Sequence, residues 1–266
     1  MARRTARRRT SKAYANTVEG ALQNAIDQLY AVFRRYPLRP YTEPCPHCLE
    51  GGSIPLDAEA RLHSKPLRAL QGTDLKRYTS DALYTWGEVD DFRHFLPRIL
   101  ELMALGELEL LDLEMILAKL PYAEWRQWPG AEQSAIESFL LAHWRRLLTT
   151  DPFAQTHGTY RSREWLSGIA MAVDDLTPYL DSWRKNQTLP ALLHLADFVW
   201  DESGLLGPKR QPNAFLEDRP GQVQQIAEWL RAPETLQSLK SLQEAPLTDD
   251  ATYELERAIL ILETAS

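Results

Sequence analysis

Apolar residues in this chain return at three- and four-residue steps, and no stretch alternates convincingly between apolar and polar residues. That periodicity places them on one face of a helix and argues against a sheet. Residues 14–36 carry Leu22, Ile26, Leu29, Val32 and Phe33 at this spacing, and Pro37 and Pro40 end the run. After Gly72, Thr73 or Asp74 can cap a helix that reaches about Trp86, with Gly87 as its stop. "EVDDFRHFLPRILELMALG" sets Phe92, Phe95, Leu96, Ile99, Leu102 and Met103 on one side, and Pro97 within it predicts a kink or a new helix start. "LDLEMILAKL" reads as a short helix stopped by Pro121. A long one opens at Pro129 with Ile136, Phe139, Leu140, Trp144 and Leu147 inward. Further helices are expected at about 161–173, 175–186, 188–201, 221–243 with a break at Pro233, and 248–264.

The expected fold is therefore all-α, with antiparallel helix pairs stacked as an irregular α-solenoid (HEAT-like) or a helical bundle. Abundant leucine and only 12 glycines in 266 residues agree with it. Three regions are expected: a basic disordered tail at 1–12, a main helical domain at 13–205 with a cysteine-containing loop at 37–56, and a C-terminal helical subdomain at 206–266. The last boundary follows the Pro- and Gly-rich segment "SGLLGPKRQPNAFLEDRPG".

Charge is unevenly spread. The first twelve residues carry five Arg and one Lys without an acid, so the rest of the chain sums to −13 within a net charge of −7. An acidic body is a poor nucleic-acid surface, which leaves the tail as the one segment suited to phosphate. The tail also resembles the Arg-rich start of an organelle transit peptide. No apolar run approaches the ~18 residues of a membrane span, and no signal-peptide core follows the arginines. Two cysteines three apart make no disulfide framework. The cytoplasm of a bacterium is the expected location.

Those two cysteines lie in "YTEPCPHCLEGGS" as Cys45-Pro46-His47-Cys48. Three readings stand side by side. A redox dithiol of the thioredoxin-like kind needs a preceding strand and a continuing helix, and the prolines before and glycines after argue against both. A structural zinc site uses both thiolates in a knuckle-like turn. It then needs one or two of His47, His63 and His94 as further ligands, so the candidate metal residues are Cys45, Cys48, His94 and His63. The third reading is a metal-free turn with two half-buried thiols.

"TWGEVDDFRHFLPRILEL" crowds Asp90, Asp91, Arg93, His94 and Arg98 at one helix start. A metal-dependent enzyme could centre on Asp90, Asp91 and His94. The structural alternative is that the aspartates favour the helix dipole and the arginines pair with nearby carboxylates. Taken with the cysteine pair, this stretch resembles a group of uncharacterised bacterial all-helical proteins. They carry a Cys-x2-Cys pair followed about 40 residues later by Asp-Phe-x-His-Phe-Leu-Pro-Arg. The matching residues are Cys45, Cys48, Asp91, Phe92, His94, Phe95, Leu96, Pro97 and Arg98, within residues 30–145. The resemblance implies no activity, and it implies that His94 belongs with the cysteines.

The eight tryptophans fall on most helices, and their apolar neighbours mark most of them as core. Trp125 and Trp128, with Arg126 between prolines, suit either a core cap or a partner-binding edge. His157, Tyr160, Arg161 and Arg163 gather in one loop without a phosphate-binding glycine pattern. No Gly-x-Ser-x-Gly, His-Glu-x-x-His or Gly-x-Gly-x-x-Gly occurs. The expected function is protein binding by a helical scaffold, such as an immunity or adaptor protein for a basic partner. A metal-dependent enzyme and nucleic-acid binding through the tail are the alternatives.

Overall fold

The computed structural model describes residues 2–52, 54–108, 111–153, 161–209 and 211–265, with side chains described from Asn16 onward. Among these residues the fold is all-helical: there is no strand, only isolated bridges pairing Pro44 and Ala82 with Trp86. No described helix is long and apolar enough to cross a membrane.

Fourteen α-helices follow in chain order among the described residues. They are α1 (Ala2–Phe33), α2 (Pro46–Glu50), α3 (Ala58–Leu62), α4 (Gly72–Asp81), α5 (Val89–Leu105), α6 (Leu113–Leu117) and α7 (Lys119–Tyr122), then α8 (Gly130–Leu147), α9 (Ser162–Ala172), α10 (Thr177–Lys185), α11 (Leu189–Asp201), α12 (Pro220–Arg231), α13 (Pro233–Lys240) and α14 (Asp249–Thr264).

Several local expectations change. The basic segment expected to be disordered has a helical backbone from Ala2, because its Ala and Arg residues are good helix formers uninterrupted by Gly or Pro. The cysteine loop contains the one-turn helix α2. Helix α4 ends at Asp81 rather than near Trp86, since Leu83 turns the chain at φ 69° and Trp86 instead pairs back to Pro44 and Ala82. Its N-cap is Gln71, and Gly72 opens the helix because a Cβ there would meet the Glu107 carbonyl oxygen at 1.8 Å. Helix α5 runs through Pro97 to a left-handed cap at Gly106. Pro97 is buried with Phe95, Leu96 and Ile99, whose packing holds the helix where one backbone bond is missing. Pro121 likewise lies inside α7 instead of stopping a helix.

The chain forms two compact units, one of Gln23–Phe139 and one of Met1–Leu22 with Leu140–Ser266. The boundaries between these units fall within α1 and α8. The Pro- and Gly-rich segment and the helices after it are tied to their own unit by directional bonds. Arg219 donates to the Met171 carbonyl at 2.9 Å, Gln222 to Val173 at 2.9 Å, and Arg231 to the carbonyls of Leu205 and Leu206 at 3.0 and 2.9 Å.

In the 23–139 unit the core gathers Leu29, Phe33, Tyr78, Trp86, Phe92, Phe95, Ile99 and Trp125. In the other, α11 packs along α14, and Trp183 meets Trp144 edge-to-face at a centroid separation of 5.1 Å and Trp229 at a tilt at 5.0 Å. Trp125 and Trp128 are both buried, which fits the core cap. Trp200 is the exception among the eight, 46% exposed.

Candidate functional site

Cys45 is the N-cap of α2, Pro46 its first residue, and neither cysteine is in a disulfide. The turn is held from outside. The Cys45 N–H donates to the Thr85 carbonyl at 2.7 Å, and the Trp86 indole donates to the Thr42 hydroxyl at 2.7 Å. The Thr42 N–H in turn donates to Glu59 at 2.8 Å. The helix closes with the Cys48 N–H on the Cys45 carbonyl at 3.0 Å. The Cys48 N–H and thiol lie against the Cys45 sulfur and hold its thiol below the ordinary thiol value, while burial acts the other way.

The sequence offers four candidate ligands, and each of the two histidines has a hydrogen-bond partner of its own. His94 donates through Nδ1 to the Tyr36 carbonyl at 2.7 Å. Burial pulls its imidazole below the ordinary value, and the nearby His63 adds to that while Tyr36 and Asp91 oppose it. His63 meets the Glu59 carboxylate at 3.0 Å through Nε2. His47 is exposed on α2. Among the described residues no three His, Cys, Asp or Glu side chains form a group able to hold a metal. A closed zinc site takes four ligands.

The aspartates of α5 do the work of a helix start. Asp91 accepts from the Glu88 N–H at 2.8 Å, completing a capping box. Its carboxylate, 1% exposed, also takes both nitrogens of the Arg39 fork, one of them at 2.8 Å. Asp90 is paired to Arg93 at 3.1 Å and Arg98 to Glu101 at 2.7 Å, each three residues along the helix. Glu132, wholly buried, accepts from Arg35 at 2.7 and 3.0 Å and from the Tyr36 hydroxyl at 2.8 Å. Arg93 approaches it at 3.8 Å and lies 4.4 Å from the Trp128 ring centroid.

Sequence reading missed two clusters. Lys119 is 1% exposed and donates to the carbonyls of Ser80 and Ala82 at 3.0 and 2.8 Å, at the end of α4. Desolvation lowers its amine to about 8, and the Tyr84 ring lies 3.9 Å from Nζ. The apolar run around it ("MILAKLPY") hides a lysine that serves as a helix C-cap from outside the helix.

The second cluster lies on α8, α9 and α11. His143 is buried with its ring 3.9 Å from Trp165, and burial lowers it to about 3. His194, three residues before Asp197, faces the carbonyls that end α8 and is lowered by burial to about 4. Asp197 takes Arg161 at 3.1 Å through one oxygen, and its other oxygen has no hydrogen-bond partner. Burial raises it to about 6 against the pull of Arg161. Burial raises Asp201 and Glu202 as well. Asn213 donates to Glu202 at 3.1 Å and to the Ser167 hydroxyl at 3.0 Å. The i, i+3, i+7 spacing of His194, Asp197 and Asp201 was the available signal, but the apolar residues around them read as core. Of the loop residues singled out earlier, Arg161 and Arg163 pair with this cluster, and His157 and Tyr160 lie outside the described residues.

On α14 the acids Asp249, Asp250, Glu254 and Glu256 precede Arg257, whose guanidinium carbon lies 3.2 Å from the Trp200 ring centroid and 4.9 Å from that of Tyr253. Tyr253 and Leu260 are exposed on the same helix face. No protein-family model matches this chain, and neither a curated protein nor a solved structure matches it.

Proposed function

We propose that this chain is a protein-binding helical scaffold for a partner with a basic surface, acting as an immunity or adaptor protein does. The carrying observation is the aromatic pair Trp200 and Tyr253, exposed by 46% and 59% yet fixed on Arg257 and bordered by the acids of α14. Exposed aromatics with restrained rotamers lose little entropy on binding and are the common anchors of interfaces. The acids around them supply the field that speeds encounter with a cationic partner. Arg257 neutralises Glu254 at 2.9 Å, which leaves Asp249, Asp250 and Glu256 of the same helix as negative charge.

The test is affinity capture from the host at low salt, run in parallel with the double variant Trp200→Ala/Tyr253→Ala. One basic protein retained by the wild type, released by raised salt and lost in the double variant of unchanged helicity is the expected outcome. Equal retention by both chains, or retention of no protein, rejects this surface as the binding face.

A further inference from the structure

We propose that Cys45 and Cys48 are a reversible dithiol–disulfide couple that exchanges with low-molecular-weight disulfides. The pair is built for bonding to itself. Cys45 and Cys48 sit at the start and end of one closed turn, with the Cys48 N–H on the Cys45 carbonyl at 3.0 Å and the Cys48 thiol within hydrogen-bonding reach of the Cys45 sulfur. Residues three apart on such a turn bring their Cβ atoms to ~5–6 Å, and a small further closure reaches the ~4 Å of a disulfide. Both residues are half-buried, so a small reagent can reach them. No third His, Cys, Asp or Glu joins them into a metal-holding group among the described residues.

The two ends of the segment differ, and the difference suits a switch. Before Cys45 the chain is fastened by the Cys45–Thr85 bond, the Pro44–Trp86 bridge and the Trp86–Thr42 contact. After Cys48 it passes through Gly51 into Gly52 at φ +72°. Beyond the glycines the buried Ile54 donates its N–H to the Cys48 carbonyl at 3.1 Å, so drawing the sulfurs together turns the Cys48 side chain and the glycine segment while Cys45 stays in place.

The exchange has two steps. The thiolate of Cys45 attacks one sulfur of the small disulfide, its S–S bond breaks, and the first thiolate leaves and takes up the proton Cys45 gave up. The thiolate of Cys48 then attacks the Cys45 sulfur, breaks the mixed disulfide and releases the second small thiol. The protein loses two electrons and two protons, and one small disulfide becomes two thiols.

The test uses the full chain, prepared without chelator and equilibrated in glutathione buffers. Samples are quenched with acid, alkylated and weighed intact. The expected result is interconversion between a doubly alkylated chain and an unalkylated one. Passage from one-tenth to nine-tenths oxidised should span about an 80-fold change in the ratio of disulfide to squared thiol, as an intramolecular couple requires. The Cys48→Ser variant should stop at one glutathione per chain, and the wild type should hold no such adduct at equilibrium. A pair that stays alkylatable at every ratio overturns the proposal. So does a wild type that stops at the mixed disulfide or cross-links to a second chain, or one whose thiols are shielded by bound zinc.

Discussion

The two compact units bury polar groups in opposite ways. In the 23–139 unit each buried carboxylate meets a guanidinium: Asp91 takes Arg39 on both oxygens, and Glu132 takes Arg35 on one oxygen with Arg93 3.8 Å from the other. Each of these contacts joins segments far apart in sequence. In the unit that holds 140–266 the buried groups are kept neutral or only half answered. His143 and His194 are uncharged imidazoles, and Asp197 has one oxygen paired and one not. Buried ion pairs that join distant segments are costly to break. Buried imidazoles and raised carboxylates change protonation as pH falls, so the second unit should respond to acid and the first to mutation.

The largest expected effect sharpens the first half of that contrast. Glu132→Ala leaves Arg93, 17% exposed at its side chain, facing an empty site and frees Arg35 and Tyr36. Removing one partner of a buried pair costs about 3–5 kcal/mol, so the midpoint of urea unfolding should fall sharply. Hydrogen exchange should rise first within residues 23–139. A loss below ~1 kcal/mol would mean that the carboxylate is not carrying the clamp.

Acid probes the other unit. A histidine whose folded value lies below its unfolded value of ~6.5 binds fewer protons in the fold. Its contribution is complete above ~6.5 and is lost as pH falls towards the folded values of about 4 for His194 and about 3 for His143. Asp197, raised to about 6, acts in the opposite sense and offsets part of the loss, as do the raised Asp201 and Glu202. The net effect between pH 6.5 and 4 is a loss of stability, since two histidines are lowered this far. Exchange protection should drop in α8, α9 and α11 before it drops in α5. Equal loss in both units would erase the contrast.

How much of this was legible follows from which forces act locally. The helices of 161–264 were readable nearly to the residue, because each is bounded by its own Pro, Asp or Thr: Pro190 and Thr188 at α11, Pro220 at α12, Pro233 at α13, Thr248 at α14. Helix starts in 37–122 were less legible. There Pro97 and Pro121 lie inside helices and Gly72 opens one, since packing against Glu107 and the Phe95 cluster decides, and packing is not local. The role of Asp90 and Asp91 at the start of α5 was readable from helix electrostatics. The Arg39 clamp on Asp91 was not, because 52 residues separate the two. The bond from His94 to the Tyr36 carbonyl was hidden for a similar reason, since 58 residues separate the two.

A smaller effect tests the half-answered aspartate directly. Above pH ~6 the folded state holds Asp197 charged against its burial, a penalty that vanishes below ~4 where both states are protonated. Asp197→Asn removes that penalty and gives up only the bond to Arg161, itself 43% exposed. The variant should therefore be more stable than the parent by about 1 kcal/mol at pH 7 and no more stable at pH 4. A variant less stable at pH 7 would show that Arg161 answers Asp197 fully.

The smallest expected effect on stability concerns Trp200, and the smallness is the argument. A buried tryptophan such as Trp125 leaves a cavity when truncated and costs about 3–5 kcal/mol. Trp200 is 46% exposed, and its defined contact is the Arg257 guanidinium. Surface cation–π contacts are worth about 0.5–1 kcal/mol, so Trp200→Ala should shift the urea midpoint by no more than that. A large apolar side chain that the fold hardly needs, set beside Tyr253 and the acids of α14, is what the proposed binding face requires of an anchor. If Trp200→Ala instead destabilised the unit by as much as Trp125→Ala, the ring would belong to the core and the binding face would lose its anchor.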